Sequence, residues 1–109
     1  MSDQVARLLF NVGFRAAYTG FPYLSYAIAL ATSDETCLHG LTKRLYPEVA
    51  QHFGVSVSAA EQAMRFLLHC FWDSGNVPLL EQRICYLFKF RPYTGEFIGI
   101  LAVYFRTLQ

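Results

Sequence analysis

The sequence predicts an all-α domain of six helices, built around a helix-turn-helix, that spans residues 1–109. Apolar residues recur at spacings of three and four in one segment after another, and no segment alternates apolar and polar residues with the period of two that a strand requires. Glycine and proline stand between these segments, at positions where helices end and begin. With 109 residues, 54% of them hydrophobic, the chain has the length of one domain and can bury a core.

The first two helices are predicted from their apolar stripes. One follows Ser2 and Asp3 and is closed by Gly13, and its stripe consists of Val5, Leu8, Leu9 and Val12. A break over 20–22 precedes the second helix, which ends within 32–34. The stripe of this second helix consists of Tyr23, Leu24, Ala27, Ile28 and Ala31.

The remaining helices are predicted from their start and stop residues. A short helical segment is expected over 41–45, and Pro47, which is tolerated in a first helical turn, starts a helix that runs to Phe53 and stops at Gly54. The longest helix is expected from about 58 to 73, with Gly75 beyond its end. The last two helices are predicted over 78–88 and 95–108.

The stretch after Pro47 has the features of a helix-turn-helix. Ala50 is small where two helices cross closely, and Gly54 can take the positive φ of a sharp turn. Val55 then fills the corner, and a capping box formed by Ser58 and Glu61 opens the second helix. The residues predicted to face inward on that helix are Ala60, Met64, Leu67 and Phe71.

The outward face of this second helix is the part that would enter a major groove of DNA. Gln62 can pair with adenine through its amide, Arg65 can pair with guanine, and Glu61 can accept a hydrogen bond from cytosine. Before the motif, Lys43 and Arg44 are adjacent and can hold phosphates. From the residues alone, the competing interpretation is an ordinary solvent-facing helix surface. The other residues on this outward face are Ala59, Phe66 and His69.

Composition excludes several classes of protein. The aromatic content of 17% and the net charge of +1 are unlike those of disordered chains, and the small charge lends the DNA hypothesis no support of its own. The longest apolar run, 97–105, is far shorter than the roughly 20 residues of a membrane span. Asp3 and Gln4 stand where a signal peptide would be basic. An odd set of three cysteines suits a reducing compartment, so we expect a cytoplasmic protein without membrane contact.

The segment 41–53 resembles the start of the helix-turn-helix in the C-terminal effector domain of the stage zero sporulation protein A family, response regulators of endospore formation. Its Thr-Lys-x-Leu-Tyr-Pro element and the later Trp-x-x-Gly-Asn element are specific to that family, and the resemblance covers nearly the whole chain without gaps in its N-terminal half. The further matching positions are Gly13, Gly20, Tyr23, Leu24, Ala27, Asp34, Ser58, Glu61, Ala63, Arg65, Trp72, Ser74, Gly75, Asn76 and 96–98.

The resemblance implies a six-helix domain that binds short boxes in double-stranded DNA, often as paired copies, and contacts the sigma subunit of RNA polymerase. Glu61 and Arg65 match DNA-contacting positions of the family, whereas Ala59 and Gln62 replace arginines and Phe66 replaces a histidine. A receiver domain usually precedes such a domain, and none lies within 1–109, as in an excised effector domain or a stand-alone relative. The DNA-contacting residues predicted here are Lys43, Arg44, Ser58, Ala59, Glu61, Gln62, Arg65 and Phe66.

Metal binding and catalysis are not expected. Neither Cys37 with His39 nor His69 with Cys70 has the Cys-x-x-Cys or His-x-x-x-His spacing of zinc ligands. His69 and Cys70 are moreover adjacent, and adjacent helical residues point about 100° apart. We expect Cys70 and Cys85 to be reduced and free of metal, with no cofactor bound. No glycine-rich oxyanion or phosphate loop accompanies these residues.

The alternative function is a protein-interaction module that has kept the fold and lost DNA binding. In that case Phe66, Ala59 and the surplus aromatic residues would form a protein-facing patch. Its partner would be a second copy, a sigma factor or a full-length regulator. The aromatic residues assigned to the core or to such a surface are Trp72, Phe88, Phe90, Tyr93, Phe97, Tyr104 and Phe105.

Overall fold

The computed structural model describes residues 2–34, 36 and 39–108, and within them it contains six α-helices and no strand, which confirms the predicted all-α fold. A π-helical turn, Leu41–Leu45, lies where the short helical segment was predicted. None of the described helices is long and apolar enough to cross a membrane. The six helices are α1 Ser2–Val12, α2 Gly20–Ser33, α3 Tyr46–Phe53, α4 Val57–Asp73, α5 Val77–Ile84 and α6 Thr94–Thr107.

Helix α2 is the centre of the domain, since it packs against α1, α4 and α6. It is apolar on most of its surface, as a helix covered on several sides must be. The predicted break at 20–22 is wrong, because Gly20 is the buried first residue of α2. A Cβ built on Gly20 would lie 2.2 Å from the backbone oxygen of Ala63 in α4. The glycine therefore serves the close approach of two helices rather than a chain break.

Helix α5 ends at Ile84, four residues before the end predicted for it. Cys85 adopts the left-handed conformation, with φ 56°, and its backbone N–H donates to the carbonyl oxygen of Glu81. The Glu81 side chain also accepts a hydrogen bond of 2.8 Å from the backbone N–H of Phe88. These contacts turn the chain away from the helix axis and hold the start of an extended loop.

A cluster of aromatic side chains connects α4, α6 and the α1–α2 loop. Phe14 stacks on Phe71 with the ring centroids 3.9 Å apart, and Phe97 lies 5.8 Å from Phe14 and 6.2 Å from Trp72. Phe97 is fully buried, so of the two places predicted for this group of aromatic residues, core or protein-facing surface, it lies in the core. Phe90, in contrast, is 82% exposed. The spacing of apolar residues in the sequence did not distinguish the buried Phe97 from the exposed Phe90.

Candidate nucleic-acid interface

Helices α3 and α4 form the predicted helix-turn-helix, and Gly54 makes the turn between them. Gly54 has φ 69°, and no atom lies within 4 Å of a Cβ built there, so its backbone conformation rather than lack of space requires glycine. The next residue, Val55, donates its N–H to the carbonyl oxygen of Ala50 and packs against the core at the corner. The roles predicted for Gly54 and Val55 are therefore confirmed, and Ala50 is buried.

The N-terminal cap of α4 is Ser56, so the predicted capping box of Ser58 and Glu61 is wrong. Ser56 is extended, with ψ 157°, and its Oγ accepts a 3.0 Å hydrogen bond from the N–H of Ala59. Ser58 is already the second residue of the helix. Its Oγ accepts a 3.4 Å hydrogen bond from Gln62 Nε2.

The buried and exposed faces of α4 lie where the sequence predicted them. The four residues predicted to face inward are all buried, and Ala59, Gln62, Arg65 and Phe66 are exposed, with Glu61 half-buried beside them. The buried face packs against α2 and α3. A helix that is packed on one side and has an open polar face near its N-terminus matches the way recognition helices meet base edges.

The polar side chains on this face are paired with each other along the helix. Arg65 Nη2 lies 3.1 Å from Glu61 Oε1, and His69 Nε2 lies 3.1 Å from Asp73 Oδ2. Exposed pairs at this spacing stabilise a helix by only about 0.2–0.5 kcal/mol. The pairing with Glu61 thus holds the Arg65 guanidinium over the exposed face. A competing hydrogen-bond acceptor can break this pairing with little loss of free energy.

Tyr46 lies behind the Glu61–Arg65 pair, at the start of α3, and is buried. Burial raises the pKa of the Tyr46 phenol above its ordinary value, and the Glu61 carboxylate raises it further, against a smaller opposite effect of Arg65. The phenol is therefore protonated at neutral pH and adds no negative charge to this surface.

A groove of about 550 Å³ separates the Glu61–Arg65 pair from the start of α6. Its far wall is the segment 91–96, so that Arg91 and the exposed Tyr93 stand across the groove from Arg65. The sequence reasoning missed Arg91 as a candidate residue. It lies in an aromatic loop outside the motif, and only the packing of α6 beside α4 brings it to this surface.

Phe66, on the other edge of the exposed face, packs against the α1–α2 loop. Its ring is 57% exposed and its centroid lies 5.7 Å from that of Tyr18. Between them is a shallow groove of about 340 Å³ that reaches Gly20 and Ala63. Phe66, one of the predicted DNA-contacting residues, is therefore partly covered by the α1–α2 loop.

The two predicted phosphate anchors lie on the π-helical turn, which packs against α2 and α3. Both are exposed. Arg44 Nη2 lies 3.2 Å from Asp34 Oδ2, whereas Lys43 forms no ion pair with any described residue. The structure thus places Lys43 and Arg44 on the element that precedes the motif rather than on the recognition helix.

Two of the three cysteines lie in the described part of the chain. Cys70 is half-buried, Cys85 is exposed, and both are free thiols. Cys37 lies outside the described residues. In the part of the chain that is described, no three histidine, cysteine or acidic residues come together as a metal site would need.

The comparison with known families agrees with this geometry. A family model described as the C terminal of the sporulation initiation factor Spo0A matches residues 5–105. The match begins within α1, passes through the helix-turn-helix and ends within α6. It therefore covers nearly the whole domain.

Proposed function

Because the chain belongs to the Spo0A C-terminal family, a family of DNA-binding sporulation regulator domains, we propose that it binds duplex DNA sequence-specifically and regulates transcription. The observation that supports this most directly is the exposed polar face of α4, which carries Gln62 and Arg65 one turn apart on a helix whose other face is locked into the core. An α-helix presented in this way fits the major groove.

The base-directed side chains in this proposal are Arg65 and Gln62. The Arg65 guanidinium exchanges its exposed pairing with Glu61 for two hydrogen bonds to guanine O6 and N7. Gln62 releases its long contact with Ser58 and pairs with adenine. Glu61, once freed, can accept a hydrogen bond from a cytosine amino group. Each exchange replaces a weak surface contact, so little stability of the domain is lost.

Phosphate contacts come from cations outside the recognition helix. Lys43 has no acidic partner among the described residues, and Arg44 is exposed on the same turn. We add Arg91 to this set, because it faces Arg65 across the groove beside α4 and is exposed. Such contacts position the domain on the duplex and carry no sequence information. They also compensate for the missing basic residues at Ala59 and Gln62.

Replacing Arg65 by alanine should weaken binding to a preferred duplex by about 1–3 kcal/mol and relax the preference at one base pair. The preferred sequence is first selected from a random duplex pool, and affinity is then measured by fluorescence anisotropy. Arg83→Ala is the matched control, since it removes an arginine that is also exposed but lies on α5, outside the motif. If Arg65→Ala binds every duplex as tightly as the unchanged protein at all salt concentrations, direct readout through α4 is wrong.

Replacing Lys43 by alanine should weaken binding to all duplexes alike and reduce the slope of log affinity against log salt by about 0.9, the loss expected for one phosphate contact. The reason is that the Lys43 ammonium group, which has no acidic partner within the described part of the chain, lies on the turn before α3, where it can neutralise a phosphate but reaches no base edge. Titrations of two unrelated duplexes over a range of salt concentrations measure the slope. A change in base preference with an unaltered slope would contradict this role.

The second candidate function is a protein-interaction module, and the exposed ring of Phe66 favours it. More than half of this ring is open on the face that would otherwise meet DNA. Unchanged duplex binding in Arg65→Ala would make this the better account. On the precedent of the family alone, a second copy of the domain and the sigma subunit of RNA polymerase are further partners that we propose.

A further inference from the structure

A second groove, of about 500 Å³, lies between α1, α5 and α6 and has no part in the proposed DNA contact. Two arginines, Arg7 from α1 and Arg83 from α5, stand on its walls. The chain brings them together only through tertiary packing, because they lie on helices far apart in the sequence. The complete lining is Gln4, Arg7, Leu8, Arg83, Tyr104, Phe105 and Leu108.

Neither arginine has an acidic partner within the described part of the chain. Asp3 lies one helical turn before Arg7 but forms no ion pair with it, and Arg83 forms none either. Two guanidinium groups in one groove repel each other, and an anionic group placed between them would relieve that repulsion. Arginines with partners elsewhere in the structure are Arg44, Arg65 and Arg106.

The same groove has apolar walls. Leu8 and Phe105 are buried beneath it, and Leu108 is 62% exposed at its rim, next to the half-buried Tyr104. A phosphate backbone offers strongly hydrated oxygens and no apolar group to cover such a surface. An amphipathic peptide with carboxylates offers both a partner for the guanidinium groups and an apolar side chain for Leu108 and Tyr104.

We propose that this groove binds an acidic amphipathic segment of a partner protein. Carboxylates of the segment pair with Arg7 and Arg83, and an apolar side chain lies against Tyr104 and Leu108. The start of α6 lines the first groove, beside Arg65, and the end of α6 lines the second groove. The α6 residues that line the two grooves lie roughly ten residues apart, which separates the two sites by about 15 Å along the helix. The partner can therefore bind while α4 lies on DNA.

The test uses a synthetic helical peptide with two glutamates and two leucines on one face, and the same peptide with glutamine in place of glutamate. The full chain should bind the glutamate peptide saturably and the glutamine peptide more weakly. Arg7→Gln and Arg83→Gln should each weaken binding by about fivefold, the upper range for an exposed ion pair. Arg65→Ala is the control and should bind the peptide as the unchanged protein does. Amide NMR shifts should appear at Gln4, Arg83 and Tyr104 and not at Arg65.

Several results would overturn the proposal. Equal affinity for both peptides, no saturable binding, or unchanged affinity in both arginine variants would each do so. If sedimentation instead shows a dimer that Arg83→Gln dissociates, with no peptide bound, the groove is a contact between two copies. If Arg7→Gln lowers the salt slope of duplex binding and leaves the peptide unbound, the groove is a phosphate site. Because both arginines are exposed, thermal unfolding should be unchanged in either variant.

Discussion

Replacing Phe97 by alanine should lower the free energy of unfolding by about 3–5 kcal/mol, the range for removing a buried phenylalanine ring. The ring of Phe97 is fully buried and packs against Phe14, Trp72 and Phe88. Its loss leaves a cavity where α4, α6 and the α1–α2 loop meet, and the surrounding helices can close that cavity only in part. Urea denaturation monitored by the fluorescence of Trp72 measures the effect, because Trp72 is the single tryptophan and touches the same ring.

The matched control for Phe97 is Phe90→Ala. The Phe90 ring is 82% exposed, so its removal should change the free energy of unfolding by no more than about 0.5 kcal/mol. Equal effects of the two substitutions would show that the aromatic cluster does not hold the core together.

Replacing Gly20 by alanine should lower the free energy of unfolding by about 3 kcal/mol, at the upper end of the cost of overpacking. The added Cβ would lie 2.2 Å from the backbone oxygen of Ala63 and 2.6 Å from its carbonyl carbon. Neither atom can move without shifting α4 against α2, and no side-chain rotation relieves the overlap. Chemical denaturation measures the loss. Duplex affinity of the folded fraction should fall as well, because α4 carries the proposed recognition face.

Gly99→Ala is the control for Gly20→Ala. Gly99 lies inside α6, and no atom is within 4 Å of a Cβ built there. Alanine at this position should therefore raise the free energy of unfolding by about 0.5–1 kcal/mol through its better helix propensity. A Gly20→Ala protein as stable as the unchanged one would mean that α2 and α4 do not cross so closely.

The sequence was sufficient to predict the helix-turn-helix and the orientation of its second helix. Ala60, Met64, Leu67 and Phe71 recur at helical spacing, and all four are buried. Gly54 was recognised as the turn residue, and its positive φ agrees with that. These features depend on neighbours three or four residues away and on the backbone freedom of single residues, so they can be read from a local pattern.

The predicted start of α4 and the predicted end of α5 were both wrong, and the two errors have the same cause. Ser56 and Ser58 are both suitable caps, and the turn at Gly54 decides between them by leaving Ser56 extended. Cys85 ends α5 in a left-handed conformation that cysteine seldom adopts, so its side chain gives no stop signal. In both places the path of the backbone outside the helix, rather than the residue type, determines where the helix starts or stops.

What the sequence determined by itself is therefore the set of helices, the turn and the polar face of α4. What only the tertiary structure decided is which distant residues share a surface: Arg91 across from Arg65, Tyr18 against Phe66, and Arg7 beside Arg83. Helical periodicity shows which side of a helix is buried but not which helix covers it. That choice follows from how whole helices cross, as at the contact of Gly20 with Ala63, where the absence of a side chain allows two backbones to approach.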